Sequence, residues 1–335
     1  MKIKSKDIAR ALGLSPATVS LARNGKPGVN EETRQRVNRY LETHGSGVQQ
    51  DIAFVKWIIY INIRENFKGE VRSYFKTGYE KAIQQFQRAR MEVKLVYAYS
   101  MLELEQVIEK SNKDGTAGII LRCDEFQRET YRILDQCKVP VVLEDSDMLG
   151  ERVDVLNFNN RRAVTEGMDY LKNRGLSKII YLKNEYSLYN FEVRRQAFRN
   201  YLEGNQKMHG SILEVGSRLE DMDSKILECL EKEKPDALFL ENFLVSMGTV
   251  RALEQMGVRV PEDISLLGID GLPDTVVTPY QLTHFKVPHG ERSYYTAQLL
   301  LERMKDNHGS PGREVLFYEE LVEGNSVREK LDIGT

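Results

Sequence analysis

The 335-residue chain predicts two unlike parts: a small all-α helix-turn-helix head over residues 1–45, and a two-lobed α/β body over residues 53–335 with parallel sheets and helices on both faces. A linker at 46–52 joins them. Three observations predict this division. The first fifty residues hold nine Lys or Arg against four Asp or Glu, a local charge of +5 in a chain whose total is −2. Within that stretch, capping residues and apolar spacing mark three short helices. From residue 53 onward, short aliphatic runs alternate with amphipathic ones, the pattern of βαβ units.

In the head, Ser5 is a good N-cap for a first helix with Asp7 in its first turn and Ile8, Ala9 and Leu12 on one face. Gly13 ends it in the turn Gly13-Leu14-Ser15, where a residue without Cβ takes positive φ. Ser15 caps a second helix, and Pro16 sits at its first position, where a missing N–H costs nothing. Val19 and Ala22 face inward, and Asn24-Gly25 closes the helix. Asn30 caps a third helix with Glu31 and Glu32 in its first turn and Val37 and Leu41 on its buried face. The first two helices and their turn form a helix-turn-helix, whose second helix enters a major groove. Ser5, Ser15, Thr18, Ser20, Asn24 and Thr33, interleaved with Lys4, Lys6, Arg10, Arg23 and Arg34, suit contacts to phosphate oxygens. Pro16, Ala17 and Leu21 are apolar and face base edges, which favours thymine methyls over bidentate guanine contacts.

In the body, strands are expected at Val93 to Tyr99, Ala117 to Leu121, Val139 to Leu143, Lys178 to Leu182, Ala237 to Leu240 and Ile264 to Gly268. Helices are expected at Tyr74 to Arg90, Arg162 to Arg174, Phe191 to Glu203 and Leu244 to Met256. The segment is too long for one comfortable α/β domain, which predicts two lobes with any ligand between them, beyond the carboxyl ends of the strands.

Composition excludes several classes. Apolar content of 41% and charged content of 29% are ordinary for a globular protein. The apolar run from Trp57 to Ile63 is strand-length and broken by Asn62, so no membrane span is expected. The opening Met1-Lys2-Ile3-Lys4 has no apolar region behind it, and Cys123, Cys137 and Cys229 form no C-x-x-C pair. The expectation is a cytoplasmic protein with reduced thiols and neither metal nor cofactor. Nucleophile-elbow, P-loop, dinucleotide and H-E-x-x-H motifs are missing from the sequence, so an enzyme is not expected. A secreted solute-binding protein would suit the body, but the basic head argues against it.

The run from Lys6 to Ser20, followed by Val29-Asn30-Glu31-Glu32-Thr33-Arg34, resembles the head of the lactose-repressor family of bacterial regulators. Body motifs are similar too: Val139-Pro140-Val141-Val142 through Asp145, Pro235-Asp236-Ala237-Leu238-Phe239 through Asn242, Val260-Pro261-Glu262-Asp263-Ile264 through Asp270, and Leu282-Thr283. The resemblance implies a transcriptional regulator, in the main a repressor, that binds an inverted-repeat DNA operator as a homodimer. It also implies a periplasmic-binding-protein-like body, crossed three times by the chain, that holds a small-molecule effector, by default a sugar. The first lobe then covers about 53–157 and 285–312, and the second about 158–284 and 313–335. Asp145, Asn159, Arg194, Asn242 and Asp270 occupy the effector positions, with Tyr186, Tyr189 and Phe191 close by in sequence to stack on a ring. The alternative is a regulator that has lost its effector and keeps the body for dimerisation only.

The chain departs from the family's pattern where carboxylates give way to Asn159, Phe243 and Gly271, which removes strong acceptors for sugar hydroxyls. It departs again in the linker, where no Leu stands between Leu41 and Trp57 and two glycines, Gly45 and Gly47, disfavour the family's hinge helix. Wedging an apolar side chain into the minor groove is what kinks DNA. The operator is therefore expected to bend less than that of a hinge-helix relative, as read by circularly permuted DNA fragments. A sharp kink that depends on Val48 or Ile52 would contradict this.

Overall fold

The computed structural model describes residues 5–23, 28–44, 53–60, 79–123, 128–146, 153–272, 276–306 and 310–329. The linker, with Val48 and Ile52, and the candidate Asn24 lie outside the described residues. The chain separates into two units, Met1–Ala53 and Phe54–Thr335.

The first unit holds α1 (Ser5–Leu12), α2 (Pro16–Arg23) and α3 (Glu31–His44). The caps expected at Ser15 and Asn30 form, whereas Ser5, expected as an N-cap, is itself the first residue of α1. Gly13 takes φ +64 and Leu14 N–H closes back on Ala9 O at 2.9 Å. Ser15 Oγ accepts from Thr18 N–H at 3.0 Å, and Asn30 Oδ1 accepts from Thr33 N–H at 2.8 Å. Ile8, Ala9, Val19, Ala22 and Val37 make the core, one small cluster fed by all three helices. The side chain of Leu41 lies outside the described residues.

The second unit is two copies of one plan. The first lobe has β1 (Phe54–Tyr60), β2 (Glu92–Ala98), β3 (Thr116–Cys123), β4 (Val141–Glu144) and β5 (Asp154–Phe158), with α4 (Glu80–Arg88), α5 (Met101–Ser111) and α6 (Arg128–Asp135). The second has α7 (Asn160–Asn173), β6 (Lys178–Lys183), α8 (Tyr189–Glu203), β7 (His209–Glu214), α9 (Leu219–Glu233), β8 (Ala237–Leu240), α10 (Phe243–Met256), β9 (Ser265–Ile269) and β10 (Thr283–Lys286). The chain then returns for α11 (His289–Arg303) and β11 (Glu314–Phe317) and ends on β12 (Glu320–Val322). Strand order is β11-β5-β4-β3-β1-β2 in one sheet and β12-β10-β9-β8-β6-β7 in the other. Every described pairing is parallel except β10 with β12.

Alternation along the central strands sends side chains to both faces. Trp57 and Ile59 pack with Phe86 of α4 and Leu300 of α11, while Ile58 and Tyr60 pack with Leu104 and Ile108 of α5. In the second lobe Phe239 and Tyr181 join Met168 of α7 and Phe198 of α8 on one face. Leu238 and Leu240 meet Ile226 of α9 and Leu253 of α10 on the other.

Two of the three crossovers fall later than the sequence reading placed them. The second comes after Lys286 rather than at 284/285, because β10 runs on to that residue. The third comes after Phe317 rather than at 312/313, because Glu314–Phe317 pairs with Val155 to Phe158 in the first sheet. Two short strands, β11 and β12, flank this crossover, and nothing local says which sheet each joins. The first and third crossovers lie side by side, with Asn159 N–H donating to Phe317 O at 2.8 Å.

The head's core is so small that each member matters. Ile8→Ala or Val37→Ala is expected to remove about 2–4 kcal/mol and melt the head. Calorimetry of the full chain should then show the body's transition unmoved, and a matching fall in the body's melting temperature would contradict two separate units.

Candidate functional site

On the head, the residues around α2 sort by exposure. Val19 and Ala22 are buried, Pro16, Ala17, Ser20 and Arg23 are exposed, and Thr18 and Leu21 are half-buried. The exposed face is therefore the one expected to read bases. Ser15 is both helix cap and hydroxyl partner of Thr18, at 2.8 Å. Arg23 Nη1 donates to Ser5 Oγ at 3.3 Å, placing two candidate phosphate contacts together. Thr33 and Arg34 sit in the first turn of α3, with Arg34 3.6 Å from Glu31.

In the body, the carboxyl ends of both sheets bring the polar candidates together. Asp145 follows β4 and Asp270 follows β9, the same place in each lobe. Both have left-handed backbones, φ 57 and φ 64, and both donate their N–H to the neighbouring strand, Asp145 to Leu156 O and Asp270 to Phe285 O. Positive φ at a non-glycine residue is tolerated best by Asn and Asp.

Asp145 is wholly buried. Arg292 Nη1 reaches both its oxygens at 2.6 Å, Arg122 Nη2 stands 3.0 Å away, and Asn190 Nδ2 donates at 2.9 Å. Burial alone would raise its pKa, but the two guanidinium groups hold it well below the usual carboxylate range. Asp145 therefore acts here as the anchor of an internal ion cluster, with its oxygens already engaged. Asn190 belongs to α8 of the other lobe, so this contact crosses the cleft.

From Asn190 the network continues inward. Asn160 Nδ2 donates to Asn190 Oδ1 at 2.7 Å, Arg194 Nε donates to Asn160 Oδ1 at 2.7 Å, and Arg194 Nη1 donates to Glu241 O at 2.8 Å. Arg195 next door forks onto the Glu241 carboxylate, Nε at 2.7 Å and Nη2 at 2.9 Å.

The other two candidates serve helix ends. Asn159 caps α7 through Arg162 N–H, and Asn242 caps α10 through Leu244 and Val245 N–H. The Nδ2 of Asn242 is buried without a partner. Asp270 stands 3.6 Å from His289 Nε2 of the first lobe. Gly271 stands where a Cβ would lie 2.7 Å from His284 Nε2, so a side chain here requires that ring to move. Of the aromatic trio, Phe191 has Arg194 over its ring at 5.7 Å, and Tyr189 lines an outer groove with Arg161 and Gln196.

The sequence reading missed Arg122, Arg292, Asn160, Asn190 and Glu319. Glu319 lies in the third crossover, 6% exposed, with Oε1 buried and unpartnered. Burial pushes its carboxyl up to about 7, against the opposing pull of Arg194.

Comparison with known proteins places these features. Residues 5–45 match the family model "Bacterial regulatory proteins, lacI family", and residues 168–327 match "Periplasmic binding protein-like domain". The chain is 22% identical over 319 residues to catabolite control protein A of Staphylococcus epidermidis, covering 91% of this chain and 94% of that one. It is 26% identical over 344 residues to the HTH-type transcriptional repressor PurR of Mannheimia succiniciproducens, covering 97% and 98%. Its fold resembles a lac repressor dimer bound to operator and the anti-inducer ONPF, with TM-score 0.76 at 18% identity over 97% of this chain and 99% of that one. It also resembles a regulator from Enterococcus faecium with bound ribose, with TM-score 0.68 at 18% identity over 83% and 100%.

Glu319 makes stability depend on pH. Its folded pKa, about 7, lies above the ordinary 4.5, so the native state holds the proton more tightly and stability is lost as pH rises from about 4.5 through 7. Glu319→Gln, which does not titrate, is expected to match the parent at pH 5 and exceed it by about 3 kcal/mol at pH 8. Urea unfolding at both pH values measures this, and an equal difference at both would contradict it.

Proposed function

The chain belongs to the lacI family of bacterial regulatory proteins, and from that premise we propose how it works: α2 reads an inverted-repeat operator and a small polyol in the body's cleft controls that binding. It is a DNA-binding transcriptional regulator, and its relatives named above point to repression. The observation that supports the reading is an exposed α2 face on a basic head, together with Arg194, Asn242 and Asp270 on the second lobe, Asn242 and Asp270 just after β8 and β9. Phosphate contacts from Ser5, Ser15, Thr18, Ser20, Arg23, Asn24, Thr33 and Arg34 would set register. Pro16, Ala17 and Leu21 would meet bases. A homodimer supplies the two-fold symmetry that an inverted repeat requires.

The effector site is the second half of the proposal. Arg194 gives Nε and Nη1 to the protein, and its Nη2 would be the donor offered to a ligand. Asp270 accepts, and the Nδ2 of Asn242 is a buried donor in want of an acceptor. That set orients a polyol. Asp145 is the weakest member, because its oxygens are taken. No described helix is long and apolar enough to cross a membrane, and a regulator of operator DNA works in the cytoplasm. Nothing in this mechanism calls for catalysis.

Two experiments test the proposal. Removing residues 1–53 is expected to abolish operator binding and leave the body folded; retained binding would refute the assignment of the head. Ribose, glucose and cellobiose are the first probes of the cleft, since a ligand of the folded state raises the melting temperature. For any that binds, Arg194→Ala and Asp270→Asn should each weaken it by about ten- to a hundredfold with operator affinity unchanged. Unaltered binding in both variants would favour a body that serves dimerisation alone.

A further inference from the structure

The hydrogen bonds that cross the cleft run in one direction. Arg194 Nε donates to Asn160 Oδ1 at 2.7 Å, Asn160 Nδ2 to Asn190 Oδ1 at 2.7 Å, and Asn190 Nδ2 to Asp145 Oδ1 at 2.9 Å. Each step leads from a cation toward an anion. The order cannot be reversed, because a guanidinium only donates and an ionised carboxylate only accepts. Asn190 is therefore fixed at both ends, its carbonyl toward Asn160 and its amino group toward Asp145. It lies in the first turn of α8, so a side chain of the second lobe reaches an acceptor of the first.

Asp145 receives Arg292 Nη1 on both oxygens and Arg122 Nη2 on Oδ2, and Asn190 takes the direction on Oδ1 that faces the second lobe. A ligand hydroxyl between the lobes would need that same direction, and an amide N–H and a hydroxyl are interchangeable donors to a carboxylate. Neither end of the link needs Asn190 for charge balance. Without it Asp145 keeps Arg122 and Arg292, and Asn160 keeps Phe158 O at 3.2 Å and Arg194. The link can thus break without stranding a buried charge, unlike the ion cluster beneath it. A further contact across the cleft, His289 to Asp270 at 3.6 Å, is longer than a hydrogen bond.

We propose that Asn190 is an internal clasp on the cleft: it seats on Asp145 Oδ1 in the place of a ligand hydroxyl, so that the lobes close without an effector and a polyol competes with the chain's own side chain for that acceptor. This rests on the cleft being an effector site, as proposed above, and makes Asp145 a masked ligand residue. A polyol that reaches Asp145 must first break the clasp, and its observed affinity falls with the fraction of molecules that are unclasped.

The test uses the full chain, with Asn190→Ala and Asn190→Asp as variants. The aspartate change keeps the size of the side chain and its acceptor for Asn160, but it removes the donor to Asp145, which separates the clasp from packing. Small-angle X-ray scattering without sugar is expected to give a larger radius of gyration for both variants than for the parent, with far-UV circular dichroism unchanged. Calorimetric titration with ribose, glucose and cellobiose is expected to show Asn190→Ala binding a polyol about tenfold more tightly than the parent. A scattering curve equal to the parent's in either variant overturns the clasp. Opened variants with unchanged or weaker sugar affinity overturn the competition for Asp145 and leave the cleft reading standing. An opened Asn190→Ala protein that binds none of the three sugars overturns the competition and the polyol reading together.

Discussion

A chain of side-chain hydrogen bonds across the cleft, from Arg194 through Asn160 and Asn190 to Asp145, holds the two lobes of this body in register. At one end it is fixed to a backbone carbonyl, Glu241 O, and at the other to two buried guanidinium groups. Each end carries charges that could not be buried alone. A carboxylate taken out of water without a partner costs several kcal/mol, and one removed partner strands the other. Arg122 and Arg292 thus neutralise the acceptor on which Asn190 of the other lobe docks. Each bond in the chain joins a fixed donor to a fixed acceptor on a different element, so the set is geometrically specific.

The internal repeat explains why the cleft has this chemistry. The fourth sequential strand of each lobe ends on an aspartate with left-handed backbone, bonded through its N–H to the fifth. Two such aspartates, Asp145 and Asp270, project from opposite lobes at equivalent points. Their fates then diverge. Asp145 is drowned in arginine, whereas Asp270 keeps a histidine at 3.6 Å and shares its surroundings with Glu319. Both sides keep buried polar atoms without a partner, Glu144 Oε2 and Arg292 Nε beside Asp145, and Asn242 Nδ2 and Glu319 Oε1 in the other lobe and the third crossover.

The head works by the opposite economy. Its caps use hydroxyl and amide side chains within one or two turns of their own position, Ser15 for Thr18 and Asn30 for Thr33, so it needs little beyond five buried side chains to hold its shape. Basic side chains such as Lys6, Arg10 and Arg23 are left at the surface.

Most of the local structure was legible in the sequence, because caps, glycine turns and aliphatic alternation act over a few residues. Ser5 to Leu12, the Gly13 turn, Pro16 at a helix start and the strands around Ile180, Leu238 and Leu266 follow from such signals. The two-sheet plan also followed, since helices alternating with apolar strands must cover both faces. What the tertiary structure alone decided is which distant groups share the cleft. Arg122 and Arg292 are separated by 170 positions and meet on one carboxylate, a pairing that no local pattern encodes. The short strands β11 and β12 differ little as sequence, so the place of the third crossover, and with it the burial of Glu319, depended on pairing with β5 and β10. Short-range propensity determined the elements; long-range pairing and the need to neutralise buried charge determined the site.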